Sequence, residues 1–285
     1  MFDESPFPDW LGTFLVPDEE FGEAYESTTP ERRAWLKTCI ARLHVLHGAA
    51  GMTWGRAEKQ WRQGFVSVAE IRPVEWTIVF LAGEYASGPR SVAALMPALL
   101  AGVANVLVVR IADEGAPWAA PVLAGFELAG QEAVVNLAAD RMPVLLSEMA
   151  NKGSGRCLVL GKIDEALKAA VARFALDCSP HVACWFEPVS GSLAIAGAED
   201  ACDIDEDLLS WAHPDLQIVR YDGENLEMVQ EEGGFLALAG TPDLVDIVPD
   251  SIPLMLGPGQ EGCWIWPELE PQFFMQRRLS LMTEM

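Results

Sequence analysis

Positive charge is scarce in this 285-residue chain: 19 Lys and Arg stand against 42 Asp and Glu, a formal net charge of −23. A surface of that sign repels phosphate backbones, so nucleic acid and anionic lipid are not expected as general electrostatic partners. The deficit is uneven, with 19 acids and 3 bases from Glu199 to Met285 against 23 and 16 before them. The excess serves either solubility or an acidic surface that faces a partner. Cys-x-x-Cys pairs are lacking among the six cysteines, Cys39, Cys157, Cys178, Cys184, Cys202 and Cys263. A chain of this length needs no disulfide staples, so they read as reduced thiols of a cytoplasmic protein. Apolar runs are short as well. The longest, Met96 to Val109, is interrupted by Pro97, Gly102 and Asn105, and a membrane span needs ~20 residues. The acidic, proline-broken start MFDESPFPDW is not expected to act as a secretory signal. Internal repeats and low-complexity tracts are missing too.

What is present is a large apolar share, 51% hydrophobic and 9% aromatic, which excludes a disordered or fibrous chain. The length suggests about two domains. Residues 1–28, rich in proline, phenylalanine and acids, read as an arm or loop. Thr29-Pro30-Glu31 supplies an N-cap, a first-turn proline and an acid, opening a helix that runs to His47 and stops at Gly48. From Val74, β-branched runs alternate with Ala/Leu-rich stretches. The expected strands are Val74–Ala82, Asn105–Ala112, Ala133–Leu137 and Arg156–Leu160. The helices between them are Ser91–Ala101, Pro117–Ala129 and Arg141–Asn151, with Gly102 and Gly130 as stops. The strands are continuously apolar, as parallel strands covered on both faces are. This pattern predicts a Rossmann-like, doubly wound parallel sheet. A helix at Asp164–Leu176, strands at Val182–Phe186 and Leu193–Ala196, an acidic helix at Asp203–Ala212, strands at Leu216–Tyr221 and Phe235–Ala239, and a helix start at Pro242-Asp243 predict a second α/β region. The chain closes on a basic-apolar tail, Gln276-Arg277-Arg278-Leu279.

The loop Gly83-Glu84-Tyr85-Ala86-Ser87-Gly88-Pro89-Arg90-Ser91 follows the first of these strands and opens a helix, where free N–H groups attract anions. It is neither G-x-G-x-x-G nor a P-loop, and Glu84 opposes phosphate. Two readings stand: a tight turn with an N-cap serine, or a ligand contact. His44 and His47 share a helix face, but no third metal ligand stands nearby. His181 opens an apolar strand and reads as a core or edge residue. No serine or cysteine sits in a nucleophile elbow. Trp264-Ile265-Trp266-Pro267 reads as packing or an interface anchor rather than a base-stacking platform.

Taken in order, several segments resemble histidinol dehydrogenase, a family that oxidises L-histidinol to L-histidine in two NAD-linked steps with a bound zinc. The resemblance covers roughly residues 31–220. It starts at Ile40-Ala41-Arg42-Leu43-His44, continues through Arg72-Pro73-Val74-Glu75, and is strongest at Gly88-Pro89-Arg90-Ser91-Val92, Met96-Pro97-Ala98, Ala101-Gly102-Val103 and Val106-Leu107-Val108-Val109. Leu128-Ala129-Gly130, Leu193-Ala194-Ile195-Ala196 and Asp207-Leu208-Leu209-Ser210 also match. The resemblance implies cofactor-facing positions at Phe80, Gly83, Gly88, Arg90, Ser91, Arg141, Gly161 and Asp164. Where the family has a zinc-binding Gln-Ala-Glu-His, this chain reads Trp211-Ala212-His213-Pro214, so only His213 corresponds, and indole cannot ligate a metal. Where the family has its catalytic Pro-Glu-His, the nearest stretch is Pro249-Asp250-Ser251, and serine has no pKa suited to proton transfer near neutrality. The family's further zinc-binding histidine, supplied by a tail beyond the stretch matched here, is not expected in these 285 residues.

The expectation is an α/β protein with an arm and helices at 1–73, a Rossmann-like domain at 74–200 and a second, incomplete α/β domain at 201–285. The expected function is that of a histidinol-dehydrogenase-like protein that has lost zinc-dependent oxidation and binds a small molecule or a partner, with His213 and Asp250 as further cleft candidates. The alternative is an NAD-dependent dehydrogenase of altered substrate and metal-free mechanism. Zinc is not expected, NAD belongs to the alternative, and a cytoplasmic homodimer is expected by analogy with the family.

Overall fold

A computed structural model describes residues 5–48, 55–113, 115–188, 191–197, 203–221, 234–244 and 252–283. Its centre is a five-stranded sheet made of β3 (Trp76–Ala82), β4 (Val106–Ile111), β5 (Val134–Leu137), β6 (Gly155–Leu160) and β7 (Val182–Phe186), where β1 and β2 are the two strands that precede it in the chain. All neighbours run parallel in the order β5-β4-β3-β6-β7. The first strand laid down is therefore central, and the chain crosses it between β5 and β6. That reversal opens a crevice beyond the carboxyl ends of β3 and β6, where open α/β sheets bind ligands.

Every residue of β3 is buried, and alternate side chains serve opposite layers, as strand geometry demands. Val79 and Leu81 pack in one apolar cluster. Trp76, Ile78 and Phe80 pack in another, with Leu145, Met149, Val171 and Phe174. The first layer holds α1 (Asp18–Ser27), α2 (Pro30–Gly48), α3 (Gly88–Leu100) and α4 (Ala120–Ala129), which pack on one another. The second holds α5 (Met142–Met149) and α6 (Glu165–Asp177). The doubly wound α/β architecture is thus present. Thr29 and Pro30 open α2, and Gly130 ends α4 at a left-handed φ of 73°.

A second parallel sheet follows: β8 (Ser192–Ala196), β9 (Gln217–Tyr221), β10 (Phe235–Gly240) and β11 (Met255–Leu256), in the order β11-β10-β8-β9. It begins at Ser192. One helix, α7 (Glu206–Ala212), precedes β9, and its Asp205 cap accepts from the Leu208 N–H at 2.9 Å. At the expected helix start, Pro242-Asp243, the described residues form a 3-10 turn, Pro242–Leu244, and the residues after it up to 251 lie outside the described ones. Leu193, Ile195, Leu236 and Ala237 join the α2–α3 cluster, so one apolar core links both sheets.

Three segments depart from the sequence reading. Residues 1–28 are not merely an arm or loop, because they hold a 3-10 turn, Asp9–Phe14, and α1. Asp18, Glu19 and Glu20 occupy the first turn of α1, where acids favour the helix dipole, and Phe21 and Ala24 bury one face. A hairpin of β1 (Gly55–Trp61) and β2 (Phe65–Pro73) turns through Gly64. The basic-apolar tail is β12 (Met275–Thr283), which pairs antiparallel with β2 and completes a three-stranded sheet. Among the described residues no helix is long and apolar enough to cross a membrane.

Candidate functional site

The site begins with a tight turn. The Tyr85 N–H donates to Ala82 O at 3.0 Å, and Arg110 donates to Gly83 O at 2.9 and 2.6 Å. Ser87 caps α3, accepting the Arg90 N–H at 3.2 Å and donating its own proton to Ala212 O at 2.6 Å. Helix α3 starts three residues earlier than Ser91 because Ser87 is the cap and Pro89 fits the first turn. The loop thus forms a tight turn with a capping serine, and its Glu84, Tyr85 and Arg90 also border the cleft described below.

The cap places Arg90, 1% exposed, beneath the crevice. Its guanidinium donates to Glu187 Oε1 at 2.7 Å and to Asp215 Oδ1. Glu187 lies directly after β7. It also accepts the Tyr85 hydroxyl at 3.2 Å and, through Oε2, the Gly161 N–H at 2.6 Å. Gly161 has φ +79°, and a Cβ there would stand 2.8 Å from the Tyr85 ring. Only glycine suits that turn. Trp266 Nε1 donates to Arg90 O at 3.1 Å. The Tyr85 and Trp264 rings flank the guanidinium, with centroids 5.1 and 6.0 Å from it.

Burial sets the charges. It works against the Arg90 cation, but Tyr85, Glu187 and Asp215 outweigh it and raise the arginine's pKa. It pushes Glu187 upward, with Arg90 and the Gly161 N–H pulling back, and it pushes Tyr85 well up. His213 is fully buried, its ring 4.6 Å from that of Trp264. Burial and then Arg90 drive its pKa well below the usual histidine value, so the ring is neutral. Nδ1 of His213 lies 3.4 Å from Ser87 Oγ. That hydroxyl already donates to a carbonyl, so the pair is no activated nucleophile.

Above this network lies a cleft of about 310 Å³, bordered by Glu84, Tyr85, Lys162, Glu187, Asp215 and Leu216. That is the low end of small-molecule pockets. Of the sequence-derived positions, Arg90 and Gly161 line it. The others lie elsewhere. Phe80 is wholly buried in the α5–α6 layer, not in the crevice. Gly83 packs on the end of β4, and Gly88 against the main chain of α4, where a Cβ would meet Pro121 O at 2.5 Å. Ser91 donates within its own helix to Gly88 O at 2.8 Å. Arg141 is exposed at the start of α5, and Asp164 caps α6 through the Ala166 N–H at 2.8 Å. His213 sits behind the cleft. Asp250 and Ser251 fall outside the described residues. The residues that sequence reading missed are Glu187, Asp215 and Lys162, whereas Tyr85 lies in the loop it named as a possible ligand contact. A usable signal existed for Glu187, an acid standing at the carboxyl end of a continuously apolar strand.

A dinucleotide's pyrophosphate does not fit the mouth of α3. Ser87 already caps the helix, Gly88 and Ser91 are packed inside, and Arg90 is committed to two carboxylates. Zinc fits no better at His213, which faces a serine and an indole. Among the described residues no three His, Cys, Asp or Glu side chains converge as a donor set.

No family model and no curated protein matches this chain. Among solved structures it is similar to histidinol dehydrogenase from Elizabethkingia anophelis, with a TM-score of 0.60 and 15% identity over 99% of this chain and 78% of that one. Weaker likenesses include an apo indole-3-acetaldehyde dehydrogenase (TM-score 0.49, 13% identity, 93% and 80% coverage). Another is an NAD-dependent benzaldehyde dehydrogenase from Corynebacterium glutamicum (0.48, 11%, 93% and 90%). At this distance the likeness establishes the fold: the chain has a dehydrogenase-like α/β fold.

Proposed function

We propose that this chain keeps a histidinol-dehydrogenase-like framework without zinc-dependent histidinol oxidation, and uses the cleft to bind a small molecule. One observation carries the reading. Arg90, the cation best placed to grip an anionic cofactor, is buried and held by Glu187 and Asp215. With Glu84 also at the rim, the lining holds three carboxylates against Arg90 and Lys162. That balance disfavours phosphates and favours a compact ligand with ammonium or hydroxyl donors. The reading extends to a cytoplasmic homodimer that avoids nucleic acid and membranes, supported by the charge of −23 and by the family resemblance; light scattering tests the dimer. Thermal-shift titration with NAD, NADH, zinc and small amino alcohols tests the ligand class. A ligand at 100 times its Kd adds about 2.7 kcal/mol, which raises Tm by several degrees. The expected result is a rise with a compact amine and none with NAD or zinc. A cofactor-induced rise would instead favour a metal-free dehydrogenase.

A further inference from the structure

Away from the cleft, α2 and the turn after β11 enclose an apolar groove of about 520 Å³, lined by Leu43, Leu46, Leu254 and Ile265 together with Cys39 and Cys263. Two cysteines 224 positions apart thus open onto one hollow. The turn that presents Cys263 is tightly held. Gln260 N donates to Gly257 O at 3.0 Å and Cys263 N to Gln260 O at 2.9 Å. The buried Glu261 carboxylate accepts from Gly259 N at 3.1 Å and from Asp205 N at 3.2 Å. Gly262 packs against the Trp35 ring, 2.8 Å from where a Cβ would stand. On the helix side, Arg42 Nη1 donates to Cys263 Sγ at 2.9 Å, and Cys39 Sγ faces Trp264 O at 3.8 Å. A guanidinium on one thiol and a second thiol beside it are the two parts that dithiol chemistry needs.

We propose that Cys263 and Cys39 form a peroxide-reactive dithiol, with Cys263 as attacking thiolate and Cys39 as resolving thiol. The oxidant is a hydroperoxide. The Cys263 thiolate attacks the terminal peroxide oxygen, an S–O bond forms, the O–O bond breaks, and the leaving alkoxide or hydroxide takes a proton from water. Cys263 is now a sulfenic acid. Cys39 sulfur then attacks Cys263 sulfur, the S–O bond breaks, and water leaves with the Cys39 proton. The net change is two thiols and one hydroperoxide to one disulfide, one alcohol or water, and one water. Titration behaviour agrees with this division of labour. Cys39 lowers the Cys263 pKa most, burial opposes it, and Arg42 lowers it further, to about 7. Cys263 and burial push Cys39 up, and burial also pushes Cys157, Cys178 and Cys184 up.

The test uses the reduced full-length protein, hydrogen peroxide at pH 7, quenching with a maleimide and peptide mass spectrometry. The expected product is a Cys39–Cys263 disulfide formed at least ~10-fold faster than oxidation of the half-buried Cys178 or Cys184, following thiolate fraction. Cys39→Ser stops the reaction at a sulfenic acid on Cys263, trapped by dimedone. Arg42→Gln slows it a few-fold at pH 7, because the thiolate loses the guanidinium donor while Cys39 stays beside it. Oxidation of this pair no faster than of Cys178, or an Arg42→Gln rate equal to wild type, overturns the proposal. A measurement without variants serves if those fail to fold: the alkylation rate of Cys263 against pH. A midpoint near 7 supports the assignment, and one above 8 overturns it.

Discussion

Arg90 and Arg42 are the same residue type with opposite consequences. Arg90 sits under the crevice with Glu187 and Asp215 as partners, and its charge is spent inside the protein. Arg42 lies half-buried against a thiol and the Gly259 carbonyl. A cation among carboxylates becomes a structural brace, whereas a cation against a thiol shifts that thiol toward its reactive form. Position at the carboxyl edge of a parallel sheet therefore does not by itself make an arginine a ligand contact.

The comparison breaks most visibly at Glu187. Glu187→Ala leaves Arg90 buried with one partner and frees Tyr85 and Gly161 of theirs. Loss of about 3 kcal/mol is expected in urea unfolding, the scale for breaking a buried pair. A loss under ~1 kcal/mol would mean that Arg90 is solvated and its charge available, since exposed pairs cost no more than that.

The next effect is a pH dependence beside the same arginine. His213 has a depressed pKa in the folded protein, so its contribution is full above the unfolded value near 6.5 and is lost as pH falls below it. Between pH 6.5 and 5 stability should fall by up to about 1.4 kcal/mol per pH unit from this group. His213→Gln flattens that slope, and the wild-type-minus-variant difference isolates it from His47, whose pKa burial also lowers. Equal slopes would place a solvated, chargeable ring at 213.

Two smaller effects sharpen the contrast. Asp215, with 40% of its side chain exposed, should cost about 1 kcal/mol or less when changed to Asn, because water screens its share of the pair. Arg42→Gln should alter stability by under ~0.5 kcal/mol while slowing oxidation of Cys263 a few-fold. A large stability loss there would make Arg42 a brace like Arg90.

What could be read from the sequence follows from where side chains carry the signal. The apolar run Trp76–Ala82 announces a doubly covered strand because every one of its residues is buried. Thr29-Pro30 and Gly130 mark helix ends because capping and left-handed geometry restrict residue type. β1 is not legible because all seven of its residues are exposed, leaving no alternation to detect. β12 is held by main-chain pairing to β2, and most of its side chains face outward. At the site, Arg90 is legible from its loop and Gly161 only through the family resemblance, but their partners are not. Glu187 lies 97 positions from Arg90 and Asp215 lies 125 positions away. Cys39 and Cys263 are joined only by the packing of α2 on the later turn. Loop chemistry is local, whereas charge pairing and thiol pairing are properties of the assembled fold.

The chain has a dehydrogenase-like fold with its crevice cation braced by Glu187 and Asp215, and the function proposed for it excludes zinc-dependent histidinol oxidation. NADH formation from histidinol and NAD in the presence of zinc, followed by absorbance with purified protein, tests that exclusion most directly. No rate above the protein-free control is predicted. Sustained turnover that a chelator abolishes would contradict the account.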